Sequence, residues 1–147
     1  RVCQRLDCDY LVTTSRRTPS GISRRLRDGC RAHPRCQLCV IASEDPRPEV
    51  VPGMMALADY LLVTEDSLSM ISEALSSGKK VVVVKMGTNG LPRKHARFQE
   101  RLKAEWGIPV VGAEKIAGVI EQKNTPDPRL RFEEERTQIR ERVEVLF

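Results

Sequence analysis

The sequence predicts an α/β fold, a doubly wound parallel sheet of five or six strands with helices between them, and three observations carry that prediction. Five short runs rich in apolar and β-branched residues (Tyr10 to Thr14, Cys36 to Ala42, Tyr60 to Thr64, Val81 to Val84, Ile108 to Val111) have the near-continuous hydrophobicity of strands buried on both faces. Segments with a helical apolar stripe stand between them, which makes the alternation βα rather than hairpin after hairpin. Polar corners follow several of the strands, and in parallel α/β sheets such corners lie at the carboxyl end, where ligands bind.

The elements follow in order. Residues 1–9 form a connecting segment ahead of the first strand. Ser15 to Gly21 is the outgoing loop, and Ile22 to Cys30 the next helix, with Ser20 or Gly21 near its cap. After the second strand, Pro46, Pro48 and two acids make Glu44 to Val51 a loop, and Pro52-Gly53 leads into a short helical patch from Met54 to Ala58. Leu68, Ile71 and Leu75 mark the helix after the third strand, which stops at Gly78 before a strand from Lys80 to Lys85. Gly87, Asn89, Gly90 and Pro92 make the following loop flexible. Phe98, Leu102 and Trp106 give the helix Arg93 to Trp106 its core stripe, and Gly107 ends it. Ala113 to Glu121 is a last helix with Ile116, Val119 and Ile120 inward, closing a domain over 10–122. Beyond it lies a linker with two prolines, then a helical tail from Phe132 to Phe147 whose weak stripe (Ile139, Val143, Leu146) needs a docking surface on this domain or a neighbour.

Two corners carry candidate chemistry. After the third strand come Glu65, Asp66 and Ser67, and Asp66 or Ser67 is placed to cap the helix that follows. At roughly 100° per residue, Glu73 lies about 140–160° from Leu68 and Ile71, off the core face, with Asp66 and Ser69 on nearly the same side. Free N–H groups at a helix start suit a phosphate, and a carboxylate a turn further in suits a pair of sugar hydroxyls. The same residues also make a well-capped helix with a solvated Ser/Glu face, and pattern alone leaves both readings open. After the first strand, Ser15-Arg16-Arg17-Thr18 can hold a phosphate by charge-assisted hydrogen bonds, or form a solvated basic loop.

Composition bounds the function. The 147 residues suit one domain, with 40% apolar and 31% charged residues as in ordinary globular proteins. No apolar run reaches the roughly 18 residues of a membrane span. The net charge of +5 gathers in seven arginines between Arg16 and Arg35, which favours anions. With six aromatic residues a base-stacking surface is poorly supported, so nucleic acid is an unlikely partner. Five cysteines, an odd number, imply reduced thiols in a cytosol-like compartment. Cys36-Gln37-Leu38-Cys39 has C-x-x-C spacing, but residues three apart on a strand point to opposite faces, so these cysteines are expected to be small buried hydrophobes without a metal. The chain starts at Arg1 without Met, as an excised piece of a longer protein does; targeting signals upstream would be lost with the rest.

Thr14 to Pro19, Ala58-Asp59, and Thr64-Glu65-Asp66-Ser67-Leu68-Ser69-Met70-Ile71-Ser72-Glu73-Ala74 resemble the mitochondrial fission protein family first described in plants, whose bacterial members are often catalogued as predicted nucleoside-diphosphate-sugar epimerases. Lys94-His95-Ala96-Arg97-Phe98 and the helix end from Leu102 to Gly107 are similar too, so the resemblance covers about residues 9 to 122. It implies a Rossmann-like domain, the carboxyl-terminal half of a two-domain glycosyltransferase architecture (GT-B), with the amino-terminal Rossmann domain absent. By position, Glu73 matches the acid that grips the ribose, Ser67 and Ser69 the helix-start groups that meet the diphosphate, and Arg16 and Arg17 the basic loop. Ser15, Thr18, Glu65, Asp66 and Met70 complete the expected nucleotide-sugar site. His95 is a weak catalytic candidate, and a surface role suits it as well.

The resemblance thus implies a donor-binding domain of an inverting, metal-independent transferase, with a nucleotide sugar as substrate, no cofactor, and an acceptor base supplied by the missing half. A non-enzymatic scaffold at a membrane surface is the alternative, and nucleotide-sugar epimerisation a third. The expected location is cytoplasmic or membrane-peripheral, on the mitochondrial outer surface in a eukaryote.

Overall fold

All five expected strands form, and every strand pairing among the described residues is parallel. The computed structural model describes residues 2–45, 47–87, 93–123, 125–134 and 137. The strands are β1 (Tyr10–Thr13), β2 (Cys36–Val40), β3 (Tyr60–Thr64), β4 (Lys80–Lys85) and β5 (Val110–Gly112). The helices are α1 (Val2–Leu6), α2 (Ser20–Arg31), α3 (Val50–Leu57), α4 (Leu68–Ser76), α5 (Arg93–Trp106) and α6 (Ile116–Glu121). This is the parallel α/β, Rossmann-like alternation, with β1–β2 as a two-stranded sheet and β3–β4–β5 as a three-stranded one. The sheets belong to two compact units, Arg1–Ala58 and Asp59–Phe147.

In the first unit α2 connects β1 to β2. The Thr14 hydroxyl, on a residue 8% exposed, accepts a hydrogen bond from the Ala42 amide at 3.0 Å and so ties the two strand ends together. The β1–β2 register is irregular at its start: Tyr10 lies opposite Cys36, yet Leu11 lies opposite Leu38. One extra residue, Gln37, is therefore fitted into β2, and a bulge reverses the side-chain alternation. Cys39 lies opposite Val12, and Tyr10 and Val12 share a face, so Cys36 and Cys39 share one as well. The expectation of opposite faces assumed an unbroken strand and is overturned by the bulge. The helix expected from Met54 starts at Val50 instead. Pro52 falls in its first turn, where the missing N–H has no intrahelical partner to lose.

The second unit is built around β4, whose Val81, Val82 and Val83 are fully buried. Each contributes about 1.5–3 kcal/mol by leaving water. Helix α4 buries Ile71, Ala74 and Leu75. It ends at Gly78, whose φ of +70° places the chain in the left-handed region that glycine tolerates. A Cβ there would also lie 2.6 Å from the exposed side chain of Arg129, which would have to shift. Strand β5 begins two residues later than expected. Pro109 donates no hydrogen bond, and only its carbonyl joins the ladder, accepting from the Val83 amide at 2.8 Å. The last helix opens as a 3-10 turn over Ala113–Lys115 before α6.

The segment after Lys123 docks on the second unit. Thr125 and Pro128 are buried, and the Phe132 ring meets Trp106 edge-on, with centroids 4.8 Å apart. Residues 128–134 are helical, so the tail helix expected from Phe132 starts four residues earlier, at Pro128, whose fixed φ and missing N–H suit a helix's first turn. Asn89, Gly90 and Pro92, and Ile139, Val143 and Leu146, lie outside the described residues.

Candidate functional site

The corner after β3 gathers Glu65, Asp66, Ser67, Ser69, Met70 and Glu73 within one strand–turn–helix unit. It begins with Glu65, which is 3% exposed. Its amide donates to the Val84 carbonyl at 3.0 Å, extending the β3–β4 ladder one step past the strand. Its carboxyl oxygens accept from the Met86 amide at 2.8 Å and from Gln99 Nε2 at 3.2 Å. Glu65 therefore joins three segments: the corner after β3, the exit of β4 and the buried face of α5. Asp66 is exposed at the tip of the turn.

Ser67 is the N-cap of α4, with extended φ and ψ of −114° and 90°, and its carbonyl accepts the first helical bond from the Ile71 amide at 3.0 Å. The cap expected from Asp66 or Ser67 does not form, because no side chain accepts from the first turn. The amides of Leu68, Ser69 and Met70 precede the first helical bond, so they remain available to an outside acceptor. Ser69 and Glu73 are exposed, four residues apart on the outward side of the helix, and Met70 is half-buried. The corner thus presents uncapped amides, two hydroxyls and a carboxylate above a rigid base.

In the first unit, Ser15 to Thr18 fold into a tight turn. Thr18 N donates to the Ser15 carbonyl at 3.0 Å, Ser15 N to Thr18 Oγ1 at 3.0 Å, and Arg17 N to Ser15 Oγ at 3.2 Å. The two hydroxyls are spent on shaping the turn, and Arg16 and Arg17 are left exposed on it. The geometry is that of a basic tip with side chains open to an anion.

Sequence reasoning passed over Gln99, whose amide completes the Glu65 tie from the inner face of α5. The available signal was its position three residues before the core residue Leu102, on the same face. His95 stands one turn before Gln99 on that face, half-buried, and its Nδ1 is buried without a hydrogen-bond partner among the described residues. Asp7-Cys8-Asp9 has the Asp-x-Asp spacing of some metal-dependent transferases, but both carboxylates are turned to Arg35. Among the described residues no group of three or more ligand-type side chains is placed to hold a metal ion.

The five cysteines are free thiols, distributed as a pair and a triad. Burial raises the Cys3 thiol, helped by the neighbouring Cys8, and Cys30 lies with Cys36 and Cys39 along one pocket. Burial pushes the Cys30 thiol up to about 12, and its two sulfur neighbours act in the same direction. Burial likewise pushes the Tyr10 phenol up to about 12, helped by Cys36 and Cys30.

Comparison with known proteins adds a family. A family model described as mitochondrial fission ELM1 matches residues 1–128. The mitochondrial fission protein ELM1 of Arabidopsis thaliana is 36% identical over 92 residues, which are 63% of this chain and 20% of that protein. The chain thus spans about a fifth of the length of the curated relative it matches. No solved structure matches.

Proposed function

The chain belongs to the mitochondrial fission ELM1 family, and from that premise we propose that its β3–α4 corner binds a nucleotide sugar, as the donor-binding part of a glycosyltransferase-like protein. The observation that carries this reading is the uncapped start of α4 at the carboxyl end of a parallel strand pair. A helix start concentrates partial positive charge on free amides, and a diphosphate meets both needs at once. Ser67 and Ser69 add hydroxyls beside those amides, and Glu73 offers its carboxylate to the ribose hydroxyls. Glu65, tied inward, fixes the corner rather than touching the ligand. In the first unit, taken by itself, the exposed Arg16 and Arg17 turn is open to an anion.

Chemically, the residues on hand stabilise a departing diphosphate by electrostatics and need no metal for it. An acceptor base is left to the remainder of the protein. Calorimetry of the full-length protein against UDP, GDP, ADP and CDP sugars tests the reading. Glu73→Ala is expected to leave folding intact and to weaken the bound nucleotide by about 1.5–3 kcal/mol, the range for a hydrogen bond to a charged group. That is roughly ten- to a hundredfold in Kd. Binding that ignores Glu73→Ala, or its absence in the wild type, removes the donor reading.

One observation favours a scaffold at a membrane surface instead. Ile22 and Leu26, four apart on α2, are 48% and 37% exposed, beside the exposed Arg24 and Arg25. Apolar side chains next to arginines suit an acidic lipid surface, here the mitochondrial outer face. No helix among the described residues is long and apolar enough to cross a membrane. Adding acidic vesicles as a second arm of the same calorimetry separates the readings: heat from vesicles without heat from nucleotide sugars favours the scaffold.

A further inference from the structure

The bulge in β2 does more than disturb the register: it delivers two thiols to the same side of the strand, where a third meets them. Cys36 and Cys39 face Cys30, the penultimate residue of α2, and all three line one open pocket of about 430 Å³ together with Arg27 and Arg31. Without the extra residue at Gln37, Cys36 and Cys39 would point apart and only one could reach α2. We propose that this cluster is a dithiol–disulfide site, in which Cys30 of α2 and Cys39 of β2 join when a small-molecule disulfide such as oxidised glutathione enters the pocket. It concerns the first unit alone and stands independently of the donor-binding reading.

The pairing follows from what each sulfur is doing. Cys30 is 8% exposed, so an incoming oxidant does not meet it first. Cys36 is engaged elsewhere, donating its S–H to the Leu38 carbonyl at 3.6 Å. Cys39 is half-buried and lines the pocket alongside Cys30. The Cys39 thiolate attacks one sulfur of the external disulfide, forming a mixed disulfide and expelling one thiolate, which takes up the proton Cys39 lost. Cys30 then attacks the Cys39 sulfur and expels the second thiolate, which takes up the Cys30 proton. Two electrons pass from the protein dithiol to the external disulfide, giving one intramolecular S–S bond and two small thiols. Arg27 at the pocket is ion-paired to Glu44, and the exposed Arg31 is placed to attract the carboxylates of glutathione. Burial holds the Cys30 thiol well above the ordinary range, which makes its attack on the mixed disulfide the slow step and, once bonded, makes it a poor leaving group when Cys39 is attacked.

The test uses the full chain carrying Cys3→Ser and Cys8→Ser, so that the other thiol pair does not contribute. Excess oxidised glutathione is added, the reaction is quenched with acid and alkylating agent, and peptides are mapped by mass spectrometry. The expected product has lost two hydrogens, retains no glutathione, and keeps one alkylatable thiol, at Cys36. Its Tm rises by about 5 °C in the absence of reductant, because the bond shortens the unfolded chain's freedom between α2 and β2, and falls back on reduction. Adding Cys36→Ser leaves the cross-link in place, whereas adding Cys39→Ser leaves Cys30 uncoupled. Three persistent thiols, a mixed disulfide that never resolves, a cross-link that survives Cys39→Ser, or one equivalent of zinc retained per chain each overturn the proposal.

Discussion

A carboxyl group with 3% exposure has to find its hydrogen bonds inside the protein, and Glu65 finds one to the Met86 amide and one to Gln99. Removing it leaves the partly buried Met86 amide and the buried Gln99 side-chain amide without their acceptors. Glu65→Ala is therefore expected to cost about 2–4 kcal/mol, two bonds of the charged-group kind less some relaxation, measured as a drop in urea midpoint at constant m-value. A loss below half a kcal/mol would mean that water replaces both bonds and that the tie is incidental. Residue identities in this corner were legible in the sequence, because Leu68, Ile71 and Leu75 fix the inner face and leave Ser69 and Glu73 outside. The inward turn of Glu65 was not legible: a charged residue in a polar corner gives no sign of where it points until a buried glutamine from another helix is known to meet it. Ser67 teaches the same from the other side. Its identity marks the N-cap correctly, yet its hydroxyl takes none of the amides, since cap position and cap hydrogen bond are separate facts.

At the scale of elements, the periodicity argument succeeded where strands run unbroken and failed at one inserted residue. β3 and β4 have the boundaries their apolar runs dictate, with Tyr60 opposite Lys80 and each partner following in step. β2 does not, because a bulge depends on how Gln37 is accommodated against β1, and an alternation count cannot foresee it. The consequence is the close contact of Cys30, Cys36, Cys39 and Tyr10, and it has a pH signature. In the folded chain Cys30 moves from an ordinary 9.0 to about 12, and Tyr10 from 10.0 to about 12. Below pH 9 both groups are protonated whether the chain is folded or not, so their contribution is fully present. Between pH 9 and 12 the unfolded chain releases these protons first, and stability declines with rising pH until the folded groups titrate too. Urea midpoints taken in reductant from pH 8 to 11 are expected to fall, and Tyr10→Phe is expected to flatten the fall. An equal slope in Tyr10→Phe and wild type would remove the phenol from the account.

Across the whole molecule, the βα alternation was legible because five parallel strands need five apolar runs, although only β4 is largely buried, whereas Leu38 of β2 and Leu62 of β3 are exposed. The docking of the segment after Lys123 was foreseen only as a need for a surface, and the stripe on which that need was read lies outside the described residues. The residues that make contact are Pro128 and Thr125, both buried, Arg129 against Gly78, and Phe132 edge-on to Trp106. Trp106 is the one tryptophan of the chain, so its emission reports this contact without labelling. Phe132→Ala removes an aromatic neighbour and admits water to the indole. It is expected to shift the emission maximum to the red and to cost about 1–2 kcal/mol, the edge-to-face interaction plus part of the ring's burial. Ending the chain at Lys123 also strips the buried Pro128 and the Arg129 stem, and is expected to lower Tm by about 5–10 °C, with the same red shift. The two variants separate the ring contact from the rest of the segment. Were both to keep the wild-type emission and Tm, the segment would lie away from α5 in solution, and the second unit would draw no stability from anything past Lys123.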